Sequence, residues 1–149
     1  MVAPRALAAH RRIGLDTTVF IYDWERHPLF GAAAGAVLDA VEAGALVAVA
    51  STLLLAELLV GPYRAGRPDA VDLYVRRLTA FPNLTLVPPD VAVCRAAAQL
   101  RGAGPGLRLA DAIHLATALE SGATAFVTND LDFRRVGQLA VVRLSELQI

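Results

Sequence analysis

Fourteen acidic residues are spread along the chain, and four of them interrupt otherwise apolar stretches. They are Asp16 in IGLDTTVFIYD, Glu57 in STLLLAELLVG, Asp111 in LRLADAIHLATAL and Asp130 in TAFVTNDLDF. A carboxylate among apolar side chains is costly unless it is paired or ligates a cation. Four carboxylates sharing one pocket would raise one another's pKa until a cation neutralised them, and an all-oxygen donor set suits Mg2+ or Mn2+. Such clusters recur in phosphodiester hydrolysis, where the ion activates a water and stabilises charge on the leaving oxygen. Thr17 or Thr18 and Asn129 stand beside these acids as accessory polar groups for a bound water or a phosphate.

Each acid also has a plain structural reading. Asp16 can cap the helix that follows it, Glu57 can pair with Arg64, and Asp111 can pair with Arg108 or with His114 one turn on. Asp130 and Asp132 can simply end a strand in a turn. What the plain readings leave unexplained is four such acids in apolar settings in one chain. His114 shares a helix face with Asp111 and reads as a packing or hydrogen-bonding histidine before a proton shuttle. Arg101, Arg108, Arg134 and Arg135 flank the acidic segments; Arg108 and Arg134 are the candidates for binding a substrate phosphate, against the alternative of a solvated surface. Phe20 and Trp24 share a helix face and read as core or dimer contacts rather than as base-stacking groups.

Composition removes several other chemistries. Net charge is zero and the pI is near 6.8, so overall charge is silent on nucleic acid. All 14 cationic side chains are arginine, and the absence of lysine excludes a P-loop and a phosphate-receiver site. A phosphatase with a nucleophilic Asp followed two positions later by an acid would need that acid where Thr18 stands. The GAGPG segment from Gly102 to Gly106 lacks the strand-then-helix setting of a dinucleotide loop. Cys94 is the single cysteine, which rules out an internal disulfide and reads as a small buried group on a helix. Asp39, Glu42 and Glu57 break the apolar region from Gly31 to Val60 below membrane-spanning length, and the N-terminal stretch does not have the pattern of a signal peptide. A cytoplasmic protein without membrane contact is expected.

The elements that must position the acids alternate between strand and helix, as in a parallel sheet covered by helices on both faces. Strands are predicted at Ile13–Thr17, Leu46–Ala50, Leu84–Val87, Ala125–Thr128 and Leu139–Arg143. Helices are predicted at Gly31–Ala43, Leu53–Val60 with a stop at Gly61-Pro62, Pro68–Leu78, about Val91–Leu100 and Leu107–Leu119, with a short turn around Leu131–Val136. Asp90 after Pro88-Pro89 opens one of these helices, and Asp16 is followed by a helix start. In such a sheet the functional crevice lies at the carboxyl ends of the strands where strand order reverses. Asp16 and Asp130 end two strands, and Glu57 and Asp111 reach the same crevice from helices.

Taken in order, LDTTVFI, the lone acid of LLLAELLVG, RLADAIHLATAL and FVTNDLDF resemble the four signature segments of PIN-domain ribonucleases, and most closely those of VapC toxins of toxin-antitoxin pairs. The resemblance runs from Ile13 to about Val142. It implies a single α/β PIN-like domain over residues 13–149 with a central parallel sheet of about four or five strands, preceded by an N-terminal extension over residues 1–12. It also implies a metal-dependent ribonuclease that uses Mg2+ or Mn2+. Asp16, Asp111 and Asp130 would hold the metal, and Glu57 would complete the shell or act on the water. An RNA substrate, a homodimer and a small VapB-like antitoxin complete the expectation; a non-catalytic PIN-like partner-binding module is the alternative. Two departures stand out. Family members usually start almost directly on the first strand, so the extension reads as a wrong start, a disordered tail or a basic arm. TNDLDF also offers both Asp130 and Asp132, of which Asp130 directly follows the strand.

Overall fold

The computed structural model describes residues 2–104, 106–130, 133 and 139–147. Five strands are β1 (Arg12–Leu15), β2 (Val47–Ser51), β3 (Leu84–Val87), β4 (Ala125–Thr128) and β5 (Ala140–Arg143). They pair in the order β3-β2-β1-β4-β5, every pair parallel. The chain therefore builds outward from β1 to β3, then crosses back to add β4 and β5 on the other side of β1. The order reverses between β1 and β4, which places the switch-point crevice at the ends carrying Asp16 and Asp130.

Helices cover both faces. Strand side chains alternate in direction, so Ile13, Leu15, Ala48, Ala50, Ala125 and Val127 face one way. They pack on α1 (Thr17–Trp24) and α2 (Gly31–Glu42) through Val19, Phe20, Ala34, Val37 and Val41. Val49 and Phe126 face the other way, onto Leu115 and Ala118 of α7 (Leu109–Glu120). Outside α7 lies α6 (Val91–Ala103), seated through Val93 and Ala97 against Ala112 and Ala116. The small residues let α7 lie close to the sheet. At Gly14 of β1 an added Cβ would stand 2.5 Å from the Ala118 Cβ, well inside contact distance. Asp90 caps α6 by accepting from the Val93 amide at 2.9 Å, as Pro88-Pro89-Asp90 foretold.

The remaining helices are α3 (Leu53–Leu58), α4 (Val60–Arg64) and α5 (Pro68–Thr79). Four sequence expectations change here. Thr17 opens α1 and is not part of β1, because the Asp16 side chain captures the Thr17 amide and turns the chain into a helix. Gly61-Pro62 does not end the helical stretch: α4 runs through it, since proline in the first turn of a new helix has no amide bond to lose. Cys94 is exposed rather than buried, because α6 presents Val93 and Ala97 to α7 and turns Cys94 away. The segment before β1 is docked, with Leu7 buried in the main core and His10 hydrogen-bonded to Thr124 at 2.8 Å. The predicted turn around Leu131–Val136 lies outside the described residues apart from Phe133, which is buried against Phe126. Among the described residues, no helix is long and apolar enough to cross a membrane.

Candidate active site

In the β1–β4 register Leu15 stands opposite Val127, so the next step sets Asp16 beside Thr128 at the carboxyl end of both strands. Parity points both toward α7. The Asp16 carboxylate is 5% exposed and accepts three bonds: from the Thr17 amide at 2.8 Å, the Thr18 hydroxyl at 3.1 Å and the Thr128 hydroxyl at 2.7 Å. Burial raises its pKa, and these bonds, with the charge of His114 nearby, offset only part of that. The helix-cap reading of Asp16 therefore holds.

Helix α3 leaves the end of β2 and carries Glu57 to the same place. Its Oε1 accepts from the Thr17 hydroxyl at 2.9 Å and bonds His114 Nε2. The bond to His114, above all, holds the Glu57 carboxyl below its ordinary range. Arg64 is not its partner. Parallel strands force α7 to run back against the sheet, so its first turn, with Asp111, opens at the crevice. Asp111 pairs with Arg108 at 3.0 Å and not with His114. Arg108 also reaches Asp130 at 3.5 Å, while the Asp130 amide donates to the Thr128 hydroxyl at 3.0 Å.

Hydrogen bonds thus join all four sequence-derived acids into one network, through Thr17, Thr128 and Arg108, with His114 attached at Glu57. They do not converge on one point: among the described residues no three acidic, histidine or cysteine side chains stand as a ready metal-ligating group. Arg108 lies between two of them. Asn129 is half-buried beside the network, Arg101 bonds the Leu107 carbonyl at 3.1 Å, and Asp132, Arg134 and Arg135 lie outside the described residues. Phe20 is core, and Trp24 packs on it and on Tyr74, with Arg77 over its ring. Thr128 was not singled out from the sequence. Its signal was a hydroxyl residue closing the apolar run AFVT, legible as functional only once β4 is known to pair with β1.

The PIN domain family profile matches residues 13–139. The chain belongs to the PIN domain family. No curated protein matches it in sequence. Solved structures share the fold of this PIN domain. One is VapBC2 from Rickettsia felis bound to a DNA fragment from their promoter, at 18% identity and TM-score 0.69, covering 89% of this chain and 98% of that one. FitAcB from Neisseria gonorrhoeae follows at 23% identity and TM-score 0.64, covering 91% and 99%. DNA-bound VapBC from Salmonella typhimurium gives 19% identity and TM-score 0.63, covering 90% and 98%. At such identities the likeness speaks for the fold of this PIN domain, and its chemistry has to be argued from the network itself.

Proposed function

We propose that this PIN domain is a metal-dependent endoribonuclease and the toxin of a toxin-antitoxin pair. The observation that carries the reading is the single network joining Asp16, Glu57, Asp111 and Asp130 at the switch point of the sheet. Its donor set fits a hard divalent cation. The groups are oxygens, Asp16 is buried with only hydroxyl and amide donors bonded to it, and a guanidinium already lies between Asp111 and Asp130. Asp16, Asp111 and Asp130 would hold Mg2+ or Mn2+, with Glu57 completing the shell. When bound, the ion supplies an activated water and positive charge for the phosphate.

The residues themselves have distinct tasks. Thr17, Thr18 and Thr128 hold the Asp16 carboxylate by hydrogen bonds, and Glu57, where it does not complete the shell, would accept the proton of the attacking water. Asn129 would be the amide that donates to a phosphate oxygen. Arg108, whose side chain is 72% exposed, would leave the carboxylates free to hold the cation and pair with the scissile phosphate. Arg134 is the second phosphate candidate, and Asp132 the alternative to Asp130. The solved relatives that are toxin-antitoxin complexes support a VapB-like antitoxin for this chain; such a partner would act by covering the crevice. Val60, Tyr63 and Leu73, exposed on α4 and α5, offer apolar surface for that partner or for a second copy in a homodimer.

The experiment is direct. Purified chain, freed of any partner, is expected to cleave single-stranded RNA with Mg2+ or Mn2+ and to lose this with EDTA and in Asp16→Ala. Intact RNA across diverse sequences, together with tight binding of a small partner, would favour the partner-binding module instead.

A further inference from the structure

His114 has no task in the reading above, yet its side chain is only 1% exposed and one of its nitrogens lies on Glu57. Glu57 is the least enclosed of the network's acids, with a side chain 39% exposed against 11% for Asp111 and 25% for Asp130. A glutamate with that exposure and three side-chain torsions does not hold one orientation unless something fixes it. Two groups do so, and both bind the same oxygen: the Thr17 hydroxyl at 2.9 Å and His114 Nε2 each lie on Oε1. That leaves Oε2 without a hydrogen bond among the described residues.

We infer that His114 is a positioning residue: its Nε2–H pins Oε1 of Glu57, so that Oε2 is presented to the metal or to the attacking water. A carboxylate only accepts, so the ring must donate from Nε2. The other ring nitrogen, Nδ1, is buried with no hydrogen-bond partner among the described residues. With Nε2 on Glu57 and Nδ1 unbonded, the ring serves as a strut. The strut is also rigid. His114 lies one turn beyond Asp111 on α7, and Thr17 follows Asp16 at the start of α1, so the elements that carry two acids each reach over to fix the third.

This inference rests on the metalloenzyme reading, and the test separates the two. Mn2+ affinity by calorimetry, together with kcat and KM for RNA cleavage, is measured on the full chain as wild type, His114→Leu, His114→Gln and His114→Asn. Glutamine can place an amide donor near the Nε2 position, while asparagine is one methylene too short. Leucine and asparagine are expected to weaken Mn2+ binding about 10- to 100-fold and to lower kcat with KM for RNA unchanged. Glutamine is expected to recover both to within a few-fold. In a Glu57→Ala background, His114→Asn should change Mn2+ affinity no further, because the effect passes through Glu57. If His114→Leu fails to melt cooperatively, the glutamine and asparagine pair decides. Equal behaviour of those two, whether both active or both impaired, or an undiminished effect in the Glu57→Ala background, overturns the positioning role while leaving the enzyme intact. Wild-type protein that neither binds Mn2+ nor cleaves RNA removes the metalloenzyme reading, and the inference with it.

Discussion

Negative charge gathered in a partly dry crevice has to be met locally, and each acid here meets it differently. Asp16 has hydroxyl and amide donors, Glu57 has an imidazole and a hydroxyl, and Asp111 and Asp130 share a guanidinium. For Asp16 this is not enough, since burial still raises its pKa. Neutralising it should therefore relieve the fold while destroying the site. Asp16→Asn is expected to melt at a higher temperature than wild type in EDTA at pH 7, and to lose RNA cleavage entirely; a lower Tm would mean that the carboxylate is already fully compensated. Arg108 competes with a cation for two acids and is mostly exposed, so its ion pairs are worth about 1 kcal/mol or less. Arg108→Gln should tighten Mn2+ binding a few-fold and raise KM for RNA, both read from the same titrations.

At the level of elements, the crevice depends on how closely α7 lies on β1. With Ala118 where it is, a methyl group at position 14 has no room, and overpacking of this kind costs about 1–3 kcal/mol. Gly14→Ala should lower the urea midpoint accordingly, and Gly14→Ala/Ala118→Gly should recover much of the loss. The contact of α1 with α2 carries a smaller penalty. Asp23 on α1 has its pKa raised above 3.8, first by burial and then by Asp39 on α2, with Arg77 opposing. An acid whose folded pKa is raised lends stability that is complete below its unfolded pKa and lost as pH rises through the folded one. At neutral pH it is thus a cost, discounted here by exposure. Asp23→Asn should raise Tm modestly at pH 7 and leave it unchanged near pH 3, as a thermal melt at each pH would show.

For the whole molecule, a cation that binds the folded chain and not the unfolded one must stabilise it by mass action, by about 2.7 kcal/mol at a hundredfold excess over Kd. Mg2+ or Mn2+ should accordingly raise Tm in wild type and leave Asp16→Asn unmoved, and calorimetric scans with and without EDTA would expose any failure. Much of this architecture was legible in the chain. Apolar runs alternating with helical segments foretold a parallel sheet of about four or five strands with helices on both faces, and acids in apolar settings singled out Asp16, Glu57, Asp111 and Asp130, which the fold joins in one network. Local pattern could not supply partners distant in sequence. Glu57 and His114 are 57 residues apart, and Thr128 and Asp16 are 112 apart; no spacing along the chain encodes either bond. Only the strand order β3-β2-β1-β4-β5 brings Thr128 beside Asp16, and only the close seat of α7 on Gly14 brings His114 to Glu57. The residue types thus declared which acids stand in apolar stretches, and tertiary packing decided which neighbour would answer each one.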